Sequence, residues 1–443
     1  MRTGVSSNPN QKISRMRFSL TLRGLAPRLV IIMAALCAAA FYISLSASRF
    51  ITSVISDPAV LAETRDIERA AKYFPNSARI QARMASRLIE SGVDQAEGYE
   101  RVVDRALYHA SRAVSLSPRN YELRILSAAA REMNGAMDGA ESELRAALAL
   151  APHRADAHWR LANLLIREDK LDQAIGDFQI VIKAAPGRLT TTLNLLWQAS
   201  DGKIDTLKTV VGADPASQLT LAQFLVREGK YEAAVKICEG IDRRSLLGIP
   251  EMDRLLDSLI TAGRVDLANG LWRNLFGAGA EPLIWNESFE TPLRGGFTQF
   301  DWNISQSKYA GIGITTTSAR TGQRSLKIVY LGIDTTRLDD EVRQLVVTRP
   351  GSHYVLTCYA KAENLVTPEA PRVVVTAQDS TIPIGASEVL EAGTYEWRLL
   401  SVKFTAPPNA QAVVVSVKQI PQFSYVAPTR GTVWFDDFNL TER

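Results

Sequence analysis

The side chains that could do chemistry in this sequence are two short acidic runs and a pair of histidines. The acidic runs are residues 339–341 and the dipeptide Asp436-Asp437, and the histidines are His153 and His158. Adjacent residues of a β-strand point to opposite faces, so we expect that Asp436 and Asp437 cannot flank one bond as acid and base. The five-residue spacing of the histidines differs from the i, i+4 spacing of metal ligands on one helical face. These patterns favour a protein without a catalytic site.

Longer motifs point in the same direction. The sequence has no Gly-x-Ser-x-Gly nucleophile turn and no His-Glu-x-x-His zinc motif. Gly311 and Gly313 lack the third glycine of a phosphate loop. Cys37, Cys238 and Cys358 are too few and too scattered for a disulfide framework. We therefore expect no enzymatic activity and no certain cofactor; an enzyme that processes glycans stays open as a less favoured alternative.

The positive charge of the chain is concentrated at its start. Residues 1–28 carry six basic side chains and no acidic one. Residues 50–283 carry 29 basic and 31 acidic side chains, and residues 284–443 carry 15 and 16. Because both large regions are nearly neutral, the net charge of +4 does not predict binding to nucleic acid.

An uncharged apolar segment, residues 29–48, follows the basic start. A helix rises about 1.5 Å per residue, so this length matches the roughly 30 Å hydrocarbon core of a bilayer. We therefore predict a transmembrane helix that contacts lipid at residues 29–48. Six positive side chains precede it and only Arg49 follows closely, which predicts a cytoplasmic tail at residues 1–28.

A cleaved signal peptide is the alternative, because small residues stand near positions 46–48. With a retained helix, the protein would be a single-pass protein of a bacterial inner membrane with its bulk in the periplasm. With cleavage, the remaining chain would be secreted. Both interpretations place the folded part outside the cytoplasm.

A period of 34 residues runs through the middle of the chain. The residues that recur are Pro118, Pro152 and Pro186; Ala106, Ala140 and Ala174; and Ala110, Leu144 and Phe178. Small residues suit the place where two helices approach, a bulky residue one turn later fills the space beside them, and proline ends the second helix. The pattern predicts one helix ending near Arg167 and a second from about Leu171 to Ala184.

These positions resemble the tetratricopeptide repeat (TPR). The matching residues are Leu161, Ala162, Leu165, Ala174, Phe178 and Pro186. Trp159 lies one place from the family's tryptophan, and His158 stands at that place. The resemblance implies an all-α solenoid of about six repeats over residues 58–277, with a groove for a protein partner.

The groove would be lined by exposed side chains of the first helix in each repeat. The candidates are Arg124, Arg131, Trp159, Asn163, Arg167, Asn194 and Gln198. The alternative is that these are ordinary solvated side chains and that Trp159 packs between helices.

Two repeats depart from the period. Residues 227–234 echo residues 167–174 at an offset of 60 instead of 68, which shortens the repeat around residues 197–215. Ala85 and Ala106 are 21 residues apart where Ala128 and Ala140 are 12 apart. The solenoid is therefore predicted to contain one short and one long unit.

The pattern changes after residue 280. β-Branched and aromatic residues take over, and Gly, Pro or Asn separates most of the runs. The predicted strands are residues 325–333, 341–348, 353–362, 372–378, 395–406, 410–420 and 431–440. Seven or eight strands within residues 284–443 predict a sandwich of two sheets.

Four motifs in this region resemble the jelly rolls of carbohydrate-binding modules and galactose-binding-like domains. They are Asn-Glu-Ser-Phe-Glu at 286–290, Thr-Gly-Gln-Arg-Ser-Leu at 321–326, Pro-Gly-Ser-His-Tyr at 350–354 and Gly-Thr-Val-Trp-Phe-Asp-Asp at 431–437. The resemblance implies that the first and last strands are neighbours and bring Glu290 and Asp437 to a structural calcium site. The alternative is that these acids cap turns or pair with Lys327.

The same resemblance implies a glycan-binding surface. Sugar rings stack on exposed aromatic side chains that have polar groups beside them. The candidates are Trp302, Tyr309, Tyr330, Gln344 and Tyr425. The alternative is that Trp302 and Tyr330 belong to the core.

The sequence therefore predicts a multidomain α + β protein. It would comprise an N-terminal transmembrane helix, an all-α TPR-like solenoid and a C-terminal all-β jelly-roll sandwich at residues 284–443. We expect a scaffold or adaptor whose solenoid binds a protein and whose sandwich binds polysaccharide or another protein, in surface polysaccharide assembly or export. A pure protein scaffold that binds no sugar is the main alternative.

Overall fold

The computed structural model describes residues 25–55, 64–92, 98–276, 282–294, 297, 299–333, 336–420 and 428–443. Residues 1–24 of the predicted cytoplasmic tail lie outside this part. The chain divides into two compact units, residues 1–164 and 165–443. The described part of the first unit is helical, and the second unit contains helices and two β-sheets.

The described part of the first unit starts with a long helix, and six further described helices follow. They are α1 (Leu25–Ile55), α2 (Thr64–Tyr73), α3 (Ala78–Gly92), α4 (Tyr99–Leu116), α5 (Tyr121–Met133), α6 (Met137–Leu150) and α7 (Ala155–Arg167), which continues into the second unit. Helix α1 contains the predicted membrane segment. Within the described residues, however, no helix has both the length and the apolar character needed to cross a bilayer. The transmembrane part of the predicted fold is therefore not supported.

The recurring small residues are the contacts between helices. Ala106 and Ala110 on α4 and Ala140 on α6 are fully buried, as is Leu144 one turn beyond Ala140. Small side chains allow the backbones to approach, and the larger one fills the adjoining space. The residue at the place of the family's tryptophan, His158, is also buried, and its Nε2 lies 2.8 Å from the Pro152 carbonyl.

The helices of the second unit continue the pairing. They are α8 (Leu171–Ala184), α9 (Leu189–Ala199), α10 (Ile204–Val211), α11 (Pro215–Arg227), α12 (Tyr231–Glu239), α13 (Arg243–Leu246), α14 (Pro250–Thr261) and α15 (Val265–Phe276). The predicted helix ends at Arg167, Leu171 and Ala184 are confirmed. The predicted short repeat is also confirmed, since α9 has 11 residues and α10 has 8.

Ten strands follow in the described part of the second unit. They are β1 (Asn303–Ile304), β2 (Ala310–Thr315), β3 (Ser325–Leu331), β4 (Val342–Val347), β5 (His353–Val366), β6 (Arg372–Ala377), β7 (Pro383–Ala386), β8 (Gly393–Thr405), β9 (Ala412–Lys418) and β10 (Arg430–Glu442). They form two five-stranded sheets, in the orders β1-β4-β9-β6-β7 and β2-β3-β10-β5-β8. All seven predicted strands are present, and the strand pairs of both sheets are antiparallel.

Aromatic side chains fill one end of the sandwich core. The Trp302 ring lies 4.7 Å from that of Phe438 and 5.2 Å from that of Phe289, measured between centroids. Burial of aromatic rings contributes strongly to core stability. The segment that carries Phe289, residues 286–290, is a turn rather than the predicted first strand.

Helix α15 packs on the start of the β-region. The Trp272 ring lies 4.9 Å from that of Trp285, in an edge-to-face arrangement. The Arg273 guanidinium donates hydrogen bonds of 2.7 and 3.0 Å to the carbonyls of Pro282 and Leu283. The boundary that composition suggests near residue 280 therefore lies inside the second compact unit.

Candidate functional site

The predicted groove residues of the first unit are engaged within their own repeat. Arg124 and Arg131 on α5 both reach Glu143 on α6, at 2.9 and 3.6 Å. Asn163 donates a 2.7 Å hydrogen bond from its side chain to the Trp159 carbonyl, along α7. These contacts hold the helix pair together, so the two arginines are not free cations for a ligand.

The predicted groove residues of the second unit are on the surface. Arg167, Asn194 and Gln198 are exposed. Asn194 and Gln198 lie one turn apart on α9, so their side chains share one face of that helix. This placement leaves the two α9 side chains accessible to a partner.

A cavity that the sequence analysis did not identify lies beside the short repeat. Its volume is about 760 Å³, within the range of ligand-binding clefts. It is lined by Gln179, Ile182, Lys183, Pro186, Leu189, Val210, Val211, Gly212, Ala213, Asp214, Ala216, Ser217, Thr220 and Glu251. The lining thus combines aliphatic side chains with the exposed ammonium of Lys183 and the carboxylates of Asp214 and Glu251.

The short helix α10 accounts for the position of this cavity. Helix α10 ends at Val211, and Gly212 turns the chain with φ of 70°, a conformation that suits glycine. Asp214 then begins α11 by accepting a 2.9 Å hydrogen bond from the Ser217 amide. The offset of 60 instead of 68 residues was the signal in the sequence that could have located this opening.

Three of the predicted sugar-binding residues are buried. Trp302 is 1% exposed and Tyr330 is 4% exposed, so neither ring offers a face for stacking. Gln344 exchanges two 2.9 Å hydrogen bonds with the Trp285 backbone through its side-chain amide. Trp302 and Tyr330 therefore belong to the core, as the alternative expected, and the Gln344 side chain is engaged with backbone at the edge of the core.

Of the two remaining predicted sugar-binding residues, only Tyr309 lies within the described part of the chain. Tyr309 is half-buried, with the Lys308 ammonium 4.8 Å from its ring centre. Tyr425 lies outside the described residues. Trp397 on β8 is another half-buried aromatic residue of the β-region, and it lies outside the motifs that suggested a sugar-binding surface.

The acids of the predicted calcium site both reach one loop, residues 318–324. Glu290 accepts 2.7 and 2.8 Å hydrogen bonds from the amides of Gln323 and Arg324. Asp437 accepts hydrogen bonds from the hydroxyls of Ser288 and Thr321 and is paired with the Arg320 guanidinium. The two acids therefore contact neighbouring parts of this loop, although Glu290 follows a turn and not a strand.

Asp436 and Asp437 do not obey strand alternation. The β10–β5 register shifts between Asp436 and Asn439, and Asp437 has a left-handed φ of 52°. A β-bulge redirects side chains in this way. Asp436 accepts hydrogen bonds of 2.7 and 3.4 Å from the Arg320 and Thr321 amides, so both acids contact the same dipeptide. The expectation that they point to opposite faces is wrong.

The two neighbouring carboxyl groups have opposite pKa shifts. Burial, reinforced by the negative charge of Asp437, raises the pKa of Asp436 to about 6. For Asp437 burial acts in the same direction. Hydrogen bonds from Thr321, Ser288 and Arg320 outweigh it, however, and hold the pKa of Asp437 below its usual value. Asp437 is thus the charged partner of Arg320 at neutral pH.

The donor groups around these acids do not fit calcium. Calcium requires six to eight oxygen ligands, typically carboxylates and carbonyls. Here five backbone amides point at the carboxylates, from Arg320, Thr321, Gln323, Arg324 and Asp437. Hydroxyl groups and a guanidinium complete the contacts of Asp437. Both carboxylate oxygens of Asp437 and the Oε1 atom of Glu290 already accept hydrogen bonds.

No protein-family model matches this chain, and no curated protein matches it. Among solved structures, a CBM4 structure is 19% identical, covers 36% of this chain and 99% of its own, and has a TM-score of 0.28. The MamA protein is 16% identical, with coverage of 44% and 94% and a TM-score of 0.30. TTC0263, a thermophilic TPR protein of Thermus thermophilus, is 19% identical, with coverage of 34% and 75% and a TM-score of 0.27. Likenesses at this level carry no information about function.

Proposed function

We propose that this protein is a non-catalytic adaptor whose helical repeats bind a segment of a partner protein. The observation that carries the proposal is the 760 Å³ cavity of the shortened repeat. Its aliphatic walls, which include Ile182, Val210 and Val211, suit an apolar side chain of the partner. Asn194 and Gln198 add exposed hydrogen-bonding groups on the same repeat.

A peptide segment fits the polar groups around this cavity. Lys183 is exposed and offers an ammonium. At another point of the lining Glu251 pairs through Oε1 with Arg254, at 3.2 Å, and offers its second carboxylate oxygen. Groups of both signs beside an apolar cavity can bind the carbonyl and amide groups that flank an inserted side chain. Repeat proteins generally use such surfaces to bind other chains.

Photo-crosslinking in cells of the source organism tests this function. A photoreactive residue at Ala213, which lines the cavity, is compared with one at Ala262, an exposed alanine at the end of α14. We expect one protein to be captured from position 213 and not from 262, and to be lost when Ala216→Trp fills the cavity. Equal capture from both positions, or capture unaffected by Ala216→Trp, would contradict the proposal.

For the sandwich we propose binding of a second protein, with sugar binding as the alternative. The burial of Trp302, Tyr330 and Gln344 removes three side chains on which a sugar surface was expected, and this favours a pure protein scaffold. An adaptor of surface polysaccharide assembly or export remains the alternative that requires sugar binding. A glycan array probed with the full chain, with and without calcium, separates the two: specific binding to any polysaccharide supports the alternative.

The location is proposed from the sequence pattern alone. The basic residues before residues 29–48 and the apolar segment itself predict export of the bulk of the chain. An alkaline phosphatase fusion after the last residue is expected to be active if the bulk is exported. Recovery of the active fusion in the membrane fraction indicates a retained helix, whereas recovery in the soluble fraction indicates a cleaved signal peptide. An inactive fusion, beside an active cytosolic reporter, contradicts export.

A further inference from the structure

Loop 318–324 places a positively charged side chain where the resemblance to carbohydrate-binding modules implies a metal ion. The Arg320 guanidinium is paired with Asp437 and lies over the Tyr359 ring, 3.4 Å from its centre. The Arg320 side chain is 33% exposed and that of Asp437 is 17% exposed. The cation is therefore held on two sides, by a carboxylate and by an aromatic face.

Acidic side chains lie close to the Arg320 guanidinium, and without it their negative charges would be strongly unbalanced. Asp436 is fully buried and adjoins Asp437. Asp437 also raises the pKa of Glu287 through its charge, although burial is the larger cause. Removing the cation would leave these acids close together, and such repulsion destabilises a fold.

The loop is built around the arginine rather than around a metal. The Arg320 backbone amide donates to Asp436 while its side chain pairs with Asp437, so one residue contacts both acids. Glu290 uses Oε1 to accept two amides of the same loop. A metal ion here would have to displace donors from the carboxylates before it could bind.

We propose that Arg320 supplies the positive charge at the contact between loop 318–324 and the bulge of β10, in place of a metal ion, and that the sandwich folds independently of calcium. The guanidinium neutralises Asp437 and fastens loop 318–324 to the bulge of β10. The protein would therefore keep its β-region intact in compartments where free calcium is scarce.

Thermal unfolding of the full chain with a chelator and with millimolar calcium tests the proposal. For the unchanged protein we expect the same Tm in both conditions. A Tm that rises with calcium and falls with chelator would overturn the proposal, because a bound ion would then stabilise the site.

The variant Arg320→Gln is expected to behave in the opposite way to the unchanged protein, because its Tm should respond to calcium. It removes the charge and keeps a polar side chain, although a shorter one, so we expect Tm to fall by roughly 5 °C in chelator. Calcium should restore part of this loss, since unpaired carboxylates then become available. A variant with an unchanged Tm and no response to calcium would show that Arg320 is not the resident cation.

Arg324→Gln is the matched control, because Arg324 is in the same loop and contacts Glu290 through its backbone amide. We expect this variant to be as insensitive to calcium as the unchanged protein. If Arg320→Gln does not fold, Arg320→Lys supplies the test: it keeps the charge and should remain insensitive to calcium. A calcium-dependent Tm for Arg320→Lys would contradict the proposal.

Discussion

At the scale of single residues, Gly322 shows how closely the loop approaches Glu290. Its φ is 61°, and a Cβ atom added to it would collide with the Glu290 carboxylate. Gly351 has a similar φ of 77°, but a Cβ atom there would meet nothing within 4 Å. Substitutions at these two glycines therefore separate two effects: the strain of a left-handed backbone, which both share, and the collision with a neighbouring side chain, which occurs only at Gly322.

We predict that Gly322→Ala destabilises the protein more than Gly351→Ala. Both variants strain a left-handed backbone, at a cost of about 1 kcal/mol. Only Gly322→Ala also displaces Glu290, whose two hydrogen bonds to backbone amides would weaken, for a further cost of about 1–2 kcal/mol. Urea unfolding of the full chain measures the difference, and equal losses in the two variants would show that the approach to Glu290 has no energetic effect.

Asp436 is predicted to make stability depend on pH. Its pKa is raised to about 6, whereas that of an unfolded aspartate is about 3.9. The folded state therefore binds the proton more tightly, and the contribution to the free energy of unfolding is lost as pH rises from about 4 to about 6. The loss is at most about 3 kcal/mol, since one pKa unit corresponds to about 1.4 kcal/mol.

The measurement compares the pH profiles of unfolding free energy for the unchanged protein and Asp436→Asn. Asparagine cannot ionise, so we expect the difference between the profiles to change across this window and to be constant above it. Asp437 acts in another range: its lowered pKa gives stability that is lost only as pH falls through acidic values. Parallel profiles between about pH 4 and pH 6 would show that Asp436 titrates like an unfolded aspartate.

At the scale of elements, the join between α15 and the sandwich depends on Arg273. This side chain is 5% exposed, and besides two backbone carbonyls it contacts Asn269 at 3.1 Å. In Arg273→Ala, carbonyls of Pro282 and Leu283 lose their donor, which we expect to cost about 1–3 kcal/mol. Denaturant unfolding measures this loss.

Arg254→Ala is the control for this prediction. Arg254 is on the neighbouring helix α14, and its 63% exposed side chain pairs with Glu251 at 3.2 Å. An exposed pair of this kind contributes about 0.5 kcal/mol or less. Similar losses in the two variants would mean that the Arg273 hydrogen bonds add little beyond a surface ion pair.

The helices could be predicted from the sequence because their contacts repeat. Ala106, Ala140 and Ala174 occupy equivalent buried positions, so the period of 34 locates the helix pairs and their ends. The long strands were predictable because apolar side chains alternate along them. Strands β1, β2 and β7 were missed. Strands β1 and β7 have two and four residues, which are too few to show a period. Strand β2 has six residues, but two of them are glycines, which weaken the strand pattern.

The candidate site was less predictable, because its geometry depends on local exceptions. Asp437 adopts a left-handed conformation within a bulge, so strand alternation misplaced it. Trp302, just before β1, and Tyr330 on β3 were suitable by residue type, but whether such side chains are buried depends on how the two sheets pack. The replacement of a metal by Arg320 rests on contacts between residues more than a hundred positions apart.

At the scale of the whole molecule, the later helices and the sandwich form one compact unit, residues 165–443. Cys238 on α12 and Cys358 on β5 are buried on either side of the join. Burial raises the pKa of Cys238 to about 12 and that of Cys358 well above its usual value. Both thiols should therefore be unreactive until the structure around them opens.

We predict that these two thiols become reactive at the same urea concentration. The packing of Trp272 on Trp285 and the hydrogen bonds of Arg273 couple the two parts, so their unfolding should be cooperative. The test uses pulsed labelling of two variants, each with Cys37→Ala and one further Cys→Ala change, so that a single thiol remains. Arg273→Ala in the same background should separate the two transitions by weakening the join. Distinct urea midpoints without Arg273→Ala would show that the helices and the sandwich unfold independently.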